Sequence, residues 1–238
     1  YGNVLLRKEQ YRISDDGERS TAYAKNMITG KIYNKRWSIE RTLRDHAYRV
    51  DEEKLRQVSH FLYETLPDIE KVSSLDELRG LEGKAAEQYF SVFNDLILNQ
   101  KEDFLFSTRN RRPPLDNVNA VLSFAYTILA GECANALYSV GLDPYVGFMH
   151  SDRPARISLA LDLMEELRPI LADRFVLTLI SLTMTSRTRR EWRILAKNFV
   201  YRPCLAPARL RPLALFFAKI HHTRSEISNQ LFYECEGS

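Results

Sequence analysis

The sequence predicts an all-α protein built as a multi-helix bundle, and three observations predict it. Apolar residues recur at helical intervals through most of positions 1–182. No stretch of useful length alternates apolar and polar residues as a half-buried strand does. Capping residues and Gly or Pro stops fall between the periodic segments. At 238 residues and 45% hydrophobic content, the chain has ample apolar surface for one large core.

Residues 15–47 carry Ala22, Met27, Ile28, Ile32, Trp37 and Leu43 at helical spacing, with a break expected near Gly30. A second helix starts at Asp51, sets Leu55, Val58, Phe61, Leu62 and Leu66 on one face, and is expected to end at Pro67. Ser73 or Ser74 is suited to cap a short turn over 75–78. A third helix, 81–98, should bury Ala85, Ala86, Tyr89, Phe90, Phe93 and Ile97. The Pro113-Pro114 pair forces residues 109–116 into an extended loop. Residues 118–140 follow as an apolar helix that Gly141 and Pro144 end. Residues 145–156 read as loop, and 158–182 as a helix kinked at Pro169.

Several function classes are excluded at this level. Cys133, Cys204 and Cys235 form no CxxC pair, which fits a reducing, cytoplasmic setting. The most apolar stretch carries Asn119, Ser123, Glu132 and Asn135, which suits a buried helix better than a membrane span. No Gly-rich phosphate loop, nucleophile elbow or HExxH helix is present. Tyr1 in place of Met, with no signal-like leader, suggests a fragment of a longer protein. Residues 183–238 hold 10 Lys or Arg against 4 Asp or Glu; the totals of 34 and 31 leave 24 against 27 for residues 1–182. The basic charge therefore sits in the tail, and net charge alone does not make the main domain a nucleic-acid binder.

Glu82 precedes Ala85, Ala86, Tyr89 and Phe93 by three, four, seven and eleven residues, which aligns its carboxylate with the core-facing stripe. A charge there needs a cation, a hydrogen-bond network or protonation; a first-turn glutamate favoured by the helix dipole has the same pattern. Asp162, Glu165 and Glu166 stand at i, i+3 and i+4, a spacing that presents oxygen ligands to a hard ion and equally describes a solvated face. His150 lies in the preceding loop, close enough in sequence to complete a site or to serve structurally. Arg109, Arg111, Arg112, Arg153 and Arg156 are the basic groups near these candidates, suited to DNA phosphates or simply solvated.

Ordered segments of the chain resemble the family of CRISPR-associated protein one, the spacer-acquisition endonuclease and integrase, especially its subtype I-C form. They are GNVLLRKEQY (2–11), GKIYN (30–34), GLEGKAAEQYF (80–90), RNRRPPLDNVNAVLSFAYTIL (109–129) and GLDPYVGFMHSDRPARISLALDLMEELRPILADRFVLTLI (141–180). The resemblance implies metal ligation by Glu82, His150 and Glu165, with Asp162 as an additional acid, and Mg2+ or Mn2+ as cofactor. It implies DNA as substrate, namely the CRISPR array and a captured spacer precursor, and a small CRISPR-associated partner subunit. The resemblance implies homodimer contacts largely in an amino-terminal β-rich domain, which is expected to lie before Tyr1, so a homodimer of this chain is doubtful. Residues 1–182 are thus expected to form the nuclease domain and 183–238 an aberrant basic tail, for which a reading-frame shift would account. The competing expectation is a non-catalytic remnant that keeps the helical fold and weak DNA binding.

Overall fold

The computed structural model describes residues 4–110 and 113–181. The basic tail, with Cys204 and Cys235, and the arginines Arg111 and Arg112 lie outside the described residues. Among the described residues the fold is helical throughout, in the order α1 (Val4–Asp15), α2 (Gly17–His46), α3 (Glu52–Lys71), α4 (Leu75–Ser91), α5 (Asn117–Ser139), α6 (Ser158–Leu167) and α7 (Arg174–Ser181).

The longest helix, α2, is the axis of the bundle and packs on α3, α4 and α6. It begins where Asp16 accepts hydrogen bonds from the amides of Glu18 and Arg19. Its buried stripe is Thr21, Ala24, Ile28, Lys31, Ile32, Lys35, Ile39 and Leu43. Two of the expected core residues, Ala22 and Trp37, are exposed, and two lysines are buried in their place. Each fully buried Ile or Leu contributes about 1.5–3 kcal/mol. The lysines contribute nothing of that kind, so something else accounts for their positions.

No break occurs at Gly30. A Cβ there would lie 3.1 Å from Glu166 Cβ, so the glycine lets α6 cross α2 closely. Pro67 does not end α3 either; the helix runs four residues further. Pro67 sits on the solvated side, where water can satisfy the carbonyl its missing N–H abandons. Phe61 is exposed on that helix, while Leu55, Val58, Leu62 and Ile69 are buried.

The third helix starts earlier than expected, at Leu75, with Ser74 as its cap, and ends at Ser91. Glu82 therefore lies in the middle of α4 rather than in a first turn. Phe93 and Ile97 are buried beyond the helix end, whereas Ala86 and Phe90 are only half-buried. Asp116 caps α5 by accepting from the Asn119 amide at 2.7 Å. By length and composition α5 could cross a membrane, but it packs as a core helix, with Ala130, Cys133, Ala134 and Leu137 against Leu159, Ala160 and Met164 of α6.

The kink expected at Pro169 takes the form of a π-helical turn, Arg168–Asp173, between α6 and α7. Proline offers no N–H to the carbonyl four residues back, and the wider turn absorbs that defect. It also brings both Arg168 and Asp173 into the interior.

Candidate active site

Three segments assemble the site: the middle of α4, the second half of α6, and the loop that carries His150. The loop is fixed first. Helix α1, which has too little apolar periodicity to be read from sequence, holds it through polar side chains. Gln10 Nε2 donates to the carbonyls of Asp143 (2.7 Å) and Val146 (2.9 Å), and the Asp143 amide donates back to Gln10 Oε1 at 2.9 Å. Ser14 Oγ donates to Gly147 O at 2.7 Å. A Cβ on Gly147 would meet Ser158 Cβ at 2.8 Å and Asp162 Oδ2 at 2.9 Å, so only glycine allows the loop to lie this close to α6.

Asp162 anchors the loop from the other side. Its Oδ2 accepts the amides of Phe148 (2.7 Å) and Met149 (2.9 Å), and its Oδ1 accepts the His150 amide at 3.0 Å and meets His150 Nδ1 at 2.5 Å. Each oxygen already has two partners, and the carboxylate is fully buried. Asp162, expected as an additional metal acid, here holds the His150 loop through three amides and the imidazole. By accepting from Nδ1–H it sets the tautomer that leaves Nε2 with the free lone pair.

Glu82 and Glu165 come together from α4 and α6 on a residue that sequence reasoning left unassigned. Lys31 Nζ lies 2.5 Å from Glu82 Oε1 and 2.5 Å from Glu165 Oε2, which puts those two oxygens at most 5 Å apart. The other oxygen of Glu165 accepts from Arg168 at 3.0 Å. Burial works against the Glu165 charge, but Lys31 and then Arg168 outweigh it and hold its pKa at about 2. Burial opposes Glu82 too, and Lys31 again brings its pKa below the ordinary glutamate value. His150 is near enough to favour the Glu165 charge. Glu166 faces elsewhere, against Gly30.

Beneath this pair lies a second buried polar layer, also unassigned from sequence. Tyr126 Oη donates to Asp173 Oδ1 at 2.5 Å, and the Arg168 guanidinium stacks 5.0 Å from the Tyr126 ring centre. Lys35 Nζ sits 5.3 Å from the centre of the Tyr89 ring.

The candidate phosphate-binding arginines separate. Arg109 ties its loop to α5, donating to Asn119 Oδ1 at 2.6 Å and to Ser123 Oγ at 3.3 Å. Arg153 is exposed and Arg156 half-buried, both in the turn between His150 and α6.

Among the described residues no three His, Cys, Asp or Glu groups close around one point as a finished metal cage. The residue types present are ones that could hold a hard ion. Two carboxylates already gather about a cation, the Lys31 ammonium, and a tautomer-fixed imidazole lies in the adjoining loop.

Comparison with known proteins gives a consistent picture. The family model for "CRISPR associated protein Cas1" matches residues 1–193. A CRISPR-associated endonuclease Cas1 of Chlorobaculum tepidum is 46% identical over 180 residues, covering 76% of this chain and 52% of its own length. One from Rhodospirillum rubrum is 49% identical over 184 residues, covering 76% and 53%. The chain thus spans about half the length of these relatives. Among solved structures, a casposase bound to integration product superposes with a TM-score of 0.64 at 27% identity, over 84% of this chain and 58% of that one. A Cas6-RT-Cas1–Cas2 complex gives a TM-score of 0.66 at 26% identity, over 82% of this chain and 23% of that one.

Proposed function

Since this chain belongs to the Cas1 family of CRISPR-associated proteins, we propose that it is the helical catalytic part of a DNA endonuclease and integrase that inserts spacers into a CRISPR array. The observation that carries this reading is the convergence of Glu82 and Glu165, from separate helices, on one cation position beside the His150 loop.

Mg2+ or Mn2+ bound there supplies a Lewis acid for a phosphoryl oxygen of the DNA backbone. Glu82, Glu165 and His150, through Nε2, are the residues that would hold it. Asp162 keeps the imidazole in the required tautomer and orientation. Arg168 neutralises the outer oxygen of Glu165 and, stacked on Tyr126, keeps that carboxylate in one rotamer. Arg153 and Arg156 would contact backbone phosphates, giving affinity that falls with salt and little base readout. The chemistry needs no covalent adduct with the protein.

The similarity to a complex that contains Cas2 supports a small CRISPR-associated subunit as partner, and the similarity to a casposase bound to integration product supports DNA as substrate. The test is cleavage of branched DNA by the 238-residue chain with and without Mn2+. Wild-type protein should cleave only with the ion, and Glu82→Ala should lose at least a hundredfold in rate. Unchanged cleavage by Glu82→Ala removes the proposed site. A folded wild-type chain that binds DNA without cleaving it favours the non-catalytic remnant.

A further inference from the structure

Each oxygen of Glu165 already faces a cation, Oε1 the Arg168 guanidinium at 3.0 Å and Oε2 the Lys31 ammonium at 2.5 Å, so a divalent ion that bonds this carboxylate meets a positive charge on either side. The two are not equivalent. Arg168 is stacked on Tyr126 in the π-helical turn and holds Glu165 alone. Lys31 is a single charge on a flexible four-carbon stem, and it holds Glu165 and Glu82 together. Any ion shared by these two glutamates has to lie within bonding distance of oxygens that are at most 5 Å apart, where Nζ now sits. Like charges that close repel strongly in a buried site.

We propose that Lys31 is the built-in counter-cation of the metal-free site, holding Glu82 and Glu165 together, and that it yields both carboxylates to the divalent ion. Lys31 is then a positioning residue that sets metal affinity by competition. This accounts for a buried lysine on the core stripe of α2: without it, Glu82 would lose its ion-pair partner and face a Glu165 held by Arg168 alone in the metal-free protein. The inference rests on the metal-dependent reading of the site, and its test separates the two.

Mn2+ affinity is measured by electron paramagnetic resonance on the full chain, for wild type, Lys31→Met and Glu82→Ala. Lys31→Met should bind Mn2+ at least tenfold more tightly than wild type. Without the ion it should melt at a lower temperature, and the ion should raise its melting temperature by more than it raises that of wild type. Unchanged or weaker Mn2+ binding by a folded Lys31→Met overturns the competition, while binding lost only in Glu82→Ala leaves the metal site standing. Absence of Mn2+ binding by every protein overturns both.

Should Lys31→Met fail to fold, the wild-type protein gives the same information. Brief acylation with an amine-reactive ester, followed by peptide mass spectrometry, should label Lys31 several-fold faster with Mn2+ than without, measured against the exposed Lys71. Equal or slower labelling overturns the displacement.

Discussion

Replacing Lys35 by Met should stabilise the protein and remove a pH dependence that the wild type shows. Lys35 is 2% exposed, and its Nζ has no hydrogen-bond acceptor among the described residues. The Tyr89 and Phe90 rings, at 5.3 and 5.7 Å, are its nearest compensation. Burial first, and the charge of Lys31 second, bring its pKa from 10.5 to about 7, against the pull of Glu82, Asp173 and Glu165. At 1.36 kcal/mol per unit, this shift corresponds to a cost of about 4 kcal/mol at neutral pH. The unfolded chain keeps this proton up to about pH 10.5, while the folded chain gives it up above about 7. Between those values the unfolded state binds the extra proton, so stability rises with pH, by at most about 1.4 kcal/mol per unit. Below about 7 both states are protonated and the contribution is flat. Urea denaturation of both proteins at pH 7 and pH 9 measures this directly. Lys35→Met should be about 2–4 kcal/mol more stable than wild type at pH 7, and the gap should shrink at pH 9. A variant less stable than wild type at pH 7, with a gap independent of pH, refutes the reasoning.

Two further substitutions probe the loop that carries His150. Asp162→Asn keeps the shape but turns an NH2 group toward backbone amides that need acceptors, which costs about 1–3 kcal/mol. Hydrogen exchange at Phe148, Met149 and His150 should speed up about tenfold, and unchanged protection there would show that Asp162 does not hold the loop. Gly147→Ala forces a Cβ to 2.9 Å from the His150 carbonyl and should destabilise by about 1–3 kcal/mol. Its control is Gly80→Ala in α4, where a Cβ meets nothing within 4 Å; there thermal melting should show a gain of about 0.5–1 kcal/mol. Equal effects at the two glycines would contradict the close approach at Gly147.

Sequence patterns located the helices that bury one apolar face and misjudged what depends on tertiary contact. The Ser74 cap, the α5 span and the irregularity at Pro169 were legible, because each is a local property of the chain. Gly30 and Pro67 misled because a helix-weakening residue has two readings: a stop, or a position where packing or solvent tolerates it. Only the crossing partner of α2, Glu166, decides for Gly30. Helix α1 was missed since its work is done by Gln10, Arg7 and Ser14 donating to carbonyls more than 130 residues away.

The site divides along the same line. Glu82, His150 and Glu165 were named through a motif resemblance, since periodicity alone left each with an equally good structural reading. Lys31, Arg168, Asp173 and Tyr126 carried no such mark. A charged residue at a core position of a helix was the available signal: Lys31 and Lys35 stand on the stripe set by Ile28, Ile32 and Ile39. Asp162 was expected as an additional acid through the resemblance, and the three loop amides that it holds were not legible, because spacing reports which face a carboxylate shares and not what it meets there.

The most direct measurement is a crystal structure of the chain grown with Mn2+ and phased on its anomalous signal. The ion should be bonded, at roughly 2.0–2.6 Å, to Glu82, Glu165 and His150 Nε2, with Lys31 Nζ withdrawn from both glutamates. An ion bound elsewhere, with Lys31 still bridging Glu82 and Glu165, would contradict the account.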